Sequence, residues 1–244
     1  MSFLYTTILY RPLLNLLFFF YDFIYADLGV SIVLLTLLVR FVLLPLFYKS
    51  AKDQTILQKI APKIQEIQKT HKDDKERQVK EVFAVYKEHK VNPFSGFLFL
   101  LIQLPILIAL YGVFLRGINN IHTGLLYSFI PEPAVVNFHF LGLIDLSAKS
   151  VVLVVLAAVF QYLQSYFLLR ASTQKNKPQK DLSMAERMAK NMLFMGPILS
   201  LVILWPLPSA IALYWLVTSL FSTVQQLFIN KSLSRNPALH SLDV

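Results

Sequence analysis

There is no cysteine anywhere in the 244 residues. That removes disulfide cross-links, thiolate metal ligands, a thiol nucleophile and the lipid-modified cysteine of bacterial lipoproteins. Charge is scarce too: 15% of residues are Asp, Glu, Lys or Arg against 56% hydrophobic, with a mean hydropathy of +0.57. The apolar residues form blocks too long for buried helices of a soluble domain, so the chain reads as one polytopic membrane bundle. No G-x-x-x-x-G-K-[ST] occurs, which excludes a P-loop ATPase.

Carboxylates are missing where membrane chemistry would need them. Ion-coupled transporters keep acids or broken-helix ion sites in their spans, and intramembrane proteases need an embedded Ser and His pair or two aspartates. Here His71, His89, His122, His139 and His240 all fall in loops, the tail or a span end, while Asp22 and Asp145 lie outside the predicted spans. No enzymatic site and no cofactor or metal site can be assembled, so the chain reads as a non-enzyme.

The predicted spans hold one full charge. It is Arg40, inside the apolar run Leu28 to Tyr48. Twenty-one residues in one helix rise about 31 Å, enough to cross a hydrocarbon core of about 30 Å. A central arginine costs roughly 2.5 to 3.5 kcal/mol on insertion scales and is by default a functional-site hypothesis. With no acidic partner within the spans, that partner is expected to be the substrate.

Upstream, residues 1–27 read as an interfacial helix, because Thr7, Arg11, Asn15 and Asp22 share a stripe interrupted only by Phe18. A signal peptide is the weaker alternative, since Ile24-Tyr25-Ala26 makes a poor cleavage site. Residues 49–92 hold eleven Lys/Arg and seven Asp/Glu. The stripes Ile56, Ile60, Ile64, Ile67 and Val79, Val82, Phe83, Tyr86, with a polar turn at 71–74, predict a cytosolic helical hairpin. Further spans are predicted at 94–115, 150–169 and twice within 191–229, where Trp205-Pro206-Leu207-Pro208 makes a tight turn at 205–208. A mostly uncharged extracytoplasmic loop, 116–149, precedes the third span. A basic loop, 170–190, follows it, and the short tail is 230–244.

Nineteen of the twenty-three Lys/Arg fall in 49–92, 170–190 and the tail. By the positive-inside rule the N-terminus is outside and the C-terminus inside. The net charge of +9 is thereby accounted for by loops, without nucleic acid as a ligand; those loops can meet acidic lipid headgroups or a ribosome. Uncharged polar residues form stripes within the spans: Thr36 beside Arg40, Gln103 next to Pro105, Gln161, Gln164 and Ser165, then Trp215, Thr218, Ser219, Ser222, Gln225 and Gln226. Individually such residues are most often interhelical glue. Converging beside an arginine, they point to a water-filled groove.

Two segments carry a resemblance. NPFSGFLFLLIQLPILIALYGVF, from Asn92, resembles the second-span signature of the YidC/Oxa/Alb membrane protein insertases, and PSAIALYWLVTSLFSTVQQ, from Pro208, resembles their last span. The order of parts is similar over nearly the whole chain. The resemblance implies an all-α integral membrane protein with five transmembrane helices around a hydrophilic groove in the inner leaflet, closed on the outer side. It matches Arg40, Gln164 and Trp215 to groove residues and the hairpin to a mobile, substrate-receiving element. The expected function is insertase and chaperone for nascent membrane proteins in the bacterial plasma membrane, with the ribosome and a Sec-type translocon as further partners. This sequence departs from the family pattern in showing no large extracytoplasmic domain and no long basic tail of the kind some relatives use at ribosomes, and the missing transit peptide favours a bacterial host. The alternatives are a channel or small solute transporter, which needs a path open to the outside, and a purely structural assembly factor.

Overall fold

A computed structural model describes residues 3–24, 26–113, 125–133, 135–170 and 184–234. The predicted loop 116–149 is thus described in part. Arg116, His122, residues 171–183 of the basic loop and residues 235–244 of the tail lie outside the described residues. The chain is mostly helical: α1 (Phe3–Tyr5), a π-helical turn (Thr6–Tyr10), α2 (Arg11–Ile24), α3 (Leu28–Val42), α4 (Leu44–Thr70), α5 (Lys75–Glu88), α6 (Ser95–Gly112), α7 (Val151–Arg170), α8 (Met184–Leu204) and α9 (Ser209–Ser234). One departure from an all-α chain is a two-stranded antiparallel hairpin, β1 (His139–Phe140) and β2 (Ile144–Asp145), with Phe140 opposite Ile144.

Among the described residues, Thr6–Ile24, Val151–Leu169 and Ser209–Leu233 are long and apolar enough to cross a membrane. The broken pair Leu28–Val42 and Leu44–Thr70 makes a fourth if it counts as one span. This tally differs from the five expected spans. The remaining expected spans fall on α6 (Ser95–Gly112) and on α8 (Met184–Leu204), whereas Thr6–Ile24, read as interfacial, is itself long and apolar enough to cross. The single helix expected over 28–48 ends at Val42, with Leu43 at its cap. Pro45 explains the break: it has no N–H for the Phe41 carbonyl, and its ring clashes there in a continuous helix.

The chain divides into two compact units. The first comprises Met1–Leu44, Leu100–Gln161 and Pro197–Phe221; the second comprises Pro45–Phe99, Tyr162–Gly196 and Ser222–Val244.

In the first unit, α2 buries Leu13, Leu14, Leu17, Phe18 and Tyr21, spaced along one helical face, together with Leu28, Ile32 and Leu35 of α3 and Ile106, Ala109 and Leu110 of α6. Leu153, Val154 and Ala157 of α7 and the run Ala210 to Tyr214 of α9 complete that core. Phe3, Phe23, Phe41, Val152 and Val202 remain well exposed. A membrane chain leaves such side chains to lipid and holds its helices by close packing and interhelical hydrogen bonds.

The polar stripe of α2 is used on the loop that precedes α7. Asn15 accepts from the Tyr127 N–H at 2.6 Å and donates to the Leu125 carbonyl at 2.9 Å. Arg11 Nε donates to the same carbonyl, and its guanidinium lies 4.9 Å from the Tyr127 ring centre. Tyr21 Oη accepts from the Asn137 N–H at 2.7 Å. Asp27 then does two jobs: Oδ1 caps α3 through the Val30 N–H, and Oδ2 holds the Leu141 N–H at 2.7 Å. On the other side of this loop, Ser209 Oγ donates to the Asp145 carbonyl at 2.6 Å. Gly29 is tied to the same region by space, because a Cβ there would collide with the Phe140 ring and its own Cβ.

In the second unit, α4 and α5 are joined by the turn at residues 71–74, with Asp74 capping α5 through the Arg77 N–H. Ile56, Ile60, Val85, Val91, Ile229 and Leu233 form its apolar core, with Ile64, Ile67 and Tyr86 packed against it. The expected α5 stripe is rotated, for Val79 is 52% exposed and Phe83 50%. Gln78 explains the rotation by donating across the turn to the Gln68 carbonyl, and Glu81 by pairing with His71 at 2.9 Å. Below the turn, Ser50 Oγ donates to the Ser95 carbonyl, and Asp53 accepts from the Asn92 N–H. Gln226 donates to both Thr55 and Asn230 at 2.9 Å, and Asn230 donates to the Phe167 carbonyl at 2.7 Å.

Candidate functional site

Arg40 is positioned from both ends of α3. Asp27 fixes where the helix begins and Pro45 forbids its continuation, so Arg40 falls in the last turn. There the unsatisfied carbonyls and the negative end of the helix dipole favour a cation. A charge that the sequence places in the middle of an unbroken helix therefore sits where α3 tolerates it best. Its side chain is only 2% exposed.

Around it the first unit gathers neutral polar groups from two other helices. Arg40 Nη2 donates to Gln103 Oε1 of α6 at 3.4 Å. Gln103 Nε2 in turn donates to the Tyr214 hydroxyl of α9 in a short hydrogen bond. Thr218, one turn further along α9, is buried beside this group. Pro105 lies just past Gln103 inside α6, where it cannot donate to the carbonyl of residue 101.

The remaining predicted site residues fall as follows. Thr36 is buried one turn before Arg40, but its hydroxyl donates to the Ile32 carbonyl of its own helix at 2.6 Å. Ser219 Oγ donates to Gln161 Oε1 at 3.2 Å, linking α9 to α7. Trp215 is half-buried on the flank of α9, and its buried Nε1 has no hydrogen-bond partner among the described residues. Gln164, half-buried, and Ser222, buried, belong to the second unit. Tyr214 is the residue that the polar stripe missed. Its signal was present in the sequence as a hydroxyl four residues before Thr218 within an apolar span, a spacing that stacks side chains on one helix face. Among the described residues no group of His, Asp and Glu is arranged to hold a metal ion.

Comparison with known proteins finds similarity over most of the chain. The model of the family described as 60Kd inner membrane protein matches residues 19–236. A membrane protein insertase YidC of Fusobacterium nucleatum is 32% identical over 206 residues, covering 84% of this chain and 87% of its own. Another of that name from Clostridium tetani is 34% identical, covering 83% and 81%. One from Magnetococcus marinus is 31% identical over 93% of this chain, which spans only 36% of that longer protein. A family match over most of the residues, together with two relatives matched over four-fifths or more of their own length, settles the placement: the chain is a bacterial inner-membrane protein of the 60Kd inner membrane protein family.

Proposed function

We propose that the chain is a membrane protein insertase and chaperone that works without an energy-consuming active site. The carrying observation is Arg40, buried near the end of an apolar helix and joined to neutral polar side chains from two other helices. In this reading five spans, with the N-terminus outside and the C-terminus inside, surround a hydrophilic groove in the inner leaflet. Arg40, Thr36, Gln103, Gln161, Trp215, Thr218 and Ser219 of the first unit contribute to it.

A nascent single- or double-spanning protein presents its short hydrophilic tail to this groove. Arg40 attracts acidic groups, and water in the groove spares the tail full desolvation. The buried indole N–H of Trp215 offers a donor to a client carbonyl or to water, as a buried donor requires. The client's apolar segment meanwhile enters lipid between the third and fifth spans. Burial of about twenty apolar residues drives the reaction, and the membrane potential adds about 2.3 kcal/mol per acidic charge moved outward per 100 mV. The hairpin of α4 and α5 receives the substrate, with a ribosome or Sec-type channel as supplier.

The test is reconstitution of the purified protein in liposomes with a short-tailed, single-span client. Protease protection of the client's tail well above that in empty liposomes supports the reading. Protection no better than in empty liposomes overturns it as an autonomous activity. Release of a trapped small solute in the absence of client would instead favour a channel.

A further inference from the structure

We infer that the β1–β2 hairpin is a lipid anchor: the leucines at its tip, Leu141 and Leu143, enter the interfacial layer of the bilayer at the level where α3 and α9 begin. This needs only that those helices cross a membrane, and it stands apart from the insertase reading.

The turn is built against the usual chemistry of its positions. The Leu143 N–H donates to the Phe140 carbonyl at 3.0 Å, and the two central residues, Leu141 and Gly142, have φ of +51° and +72°. Positive φ at both is the pattern of a type I′ turn, which favours Asn-Gly or Asp-Gly. Leucine in the left-handed region carries a steric penalty that asparagine, with its local hydrogen bonds, bears more easily. Side chains alternate along the strands, so Phe140 and Ile144 pack against the core while Leu141 and Leu143 turn outward. Leu141 is 63% exposed and Leu143 83%, the most exposed large apolar side chain among the described residues. A turn in water gains nothing from either leucine. A local rule broken while both side chains stay largely outside the fold marks a functional position.

The fold fixes the level of this tip. Asp27 Oδ2 holds the Leu141 N–H at 2.7 Å while Oδ1 of the same carboxylate caps α3, and the Phe140 ring fills the space over Gly29. At the other end, Ser209 Oγ donates to the Asp145 carbonyl and the Ala210 N–H to the Leu146 carbonyl, where α9 begins. The hairpin thus bridges the starts of two apolar helices, one of which is long enough alone to cross a membrane. The first residues of a span lie where hydrocarbon gives way to headgroups, a layer roughly 5–8 Å deep on each side. Composition suits that layer: Pro133 to Ile144 holds no Asp, Glu, Lys or Arg. Val135, whose carbonyl accepts from the Tyr21 hydroxyl at 3.3 Å, is also well exposed. The first acid is Asp145, at the mouth of the hairpin, where the Ser147 hydroxyl and N–H hold its carboxyl below the ordinary range. Roughly 7 Å of strand separates this charge from Leu143, so the mouth stays among water and headgroups while the tip meets acyl chains. An exposed apolar patch at this level is a membrane contact.

The chain has no cysteine, so a single nitroxide on Leu143→Cys reads the tip in the full-length protein in liposomes. Ser147→Cys serves as the water reference and Val152→Cys, exposed on α7, as the lipid reference. Collision rates are measured with oxygen, which concentrates in hydrocarbon, and with a polar nickel chelate, which is excluded from it. We expect the label at 143 to favour oxygen over the chelate, as the label at 152 does, and the label at 147 to show the reverse preference. A label at 143 that favours the chelate like that at 147 overturns the inference, for the tip is then a turn in water. Weak collision with both reagents also overturns it, because protein then covers the tip, and dipolar broadening between labels would identify that cover as a second copy of the chain.

Discussion

Arg40 and Tyr214 show what single residues do and do not disclose. An arginine in an apolar run is conspicuous in any sequence, and its type alone demands a polar surrounding. Tyr214 is not conspicuous, because tyrosine in a span serves equally as an interfacial anchor or as core, and only three-dimensional placement brings its hydroxyl to Gln103. Asp53 was likewise hidden among the hairpin's many charges. Removal from water pushes its carboxyl above the ordinary range, offset in part by the Asn92 N–H and by Lys49 and Lys52. A raised value in the folded state means that folding favours the protonated form, so wild type loses stability as pH rises through that value. Asp53→Asn should therefore unfold at a higher temperature than wild type at pH 7.5, and the advantage should shrink on acidification toward the ordinary carboxylate range near 3.9. A thermal scan at several pH values in detergent checks this, and a gap independent of pH contradicts it. Asp53→Ala should lose about 0.5–1.5 kcal/mol relative to Asp53→Asn, since it deletes the acceptor for the Asn92 N–H.

Helices were legible where composition was extreme. The apolar runs and the polar turn at residues 71–74 mark where helices begin and end, and the family motifs lie on α6 and α9. Less legible were features set by contacts across long stretches of chain. The stripe of α2 reads as a face turned to water, yet Arg11 and Asn15 spend their polar atoms on the backbone of a loop more than a hundred residues away. The rotation of α5 depends on Gln78 and Glu81 meeting residues across the turn, which periodicity alone does not encode. The short hairpin of β1 and β2 was missed because two-residue strands leave no period to detect. Gly29 and Gly142 separate two uses of glycine near that hairpin. Gly29 is required by space, since an added Cβ meets Phe140; Gly142 has open space but a φ of +72°. Gly29→Ala should cost about 1–3 kcal/mol through overpacking, and Gly142→Ala about 1 kcal/mol through backbone strain alone. Denaturant unfolding of the two variants in mixed micelles measures the order, and a Gly142→Ala cost exceeding that of Gly29→Ala would show the Phe140 contact to be slack.

At the scale of the whole molecule, the sequence shows a membrane protein and the distribution of positive charge predicts its orientation. The absence of cysteine makes that orientation simple to read, because each introduced thiol is the sole one in the chain. With Lys72→Cys and Ser147→Cys, both at exposed positions, an impermeant maleimide should label residue 147 from outside intact cells and residue 72 only after lysis; the reverse pattern would invert the proposed topology. What composition cannot convey is that one charge is held by neutral partners on separate helices, the feature on which the account of insertion depends. Its central claim is that the charge of Arg40 itself draws the client's tail. The most direct measurement is the initial rate of tail protection for an acidic-tailed client in liposomes containing wild type, Arg40→Lys or Arg40→Ala at matched protein density. The account predicts that Arg40→Lys retains most of the rate while Arg40→Ala falls by about tenfold, the loss of one charge-assisted interaction of 1.5–3 kcal/mol at its lower bound. Equal rates for wild type and Arg40→Ala would contradict it.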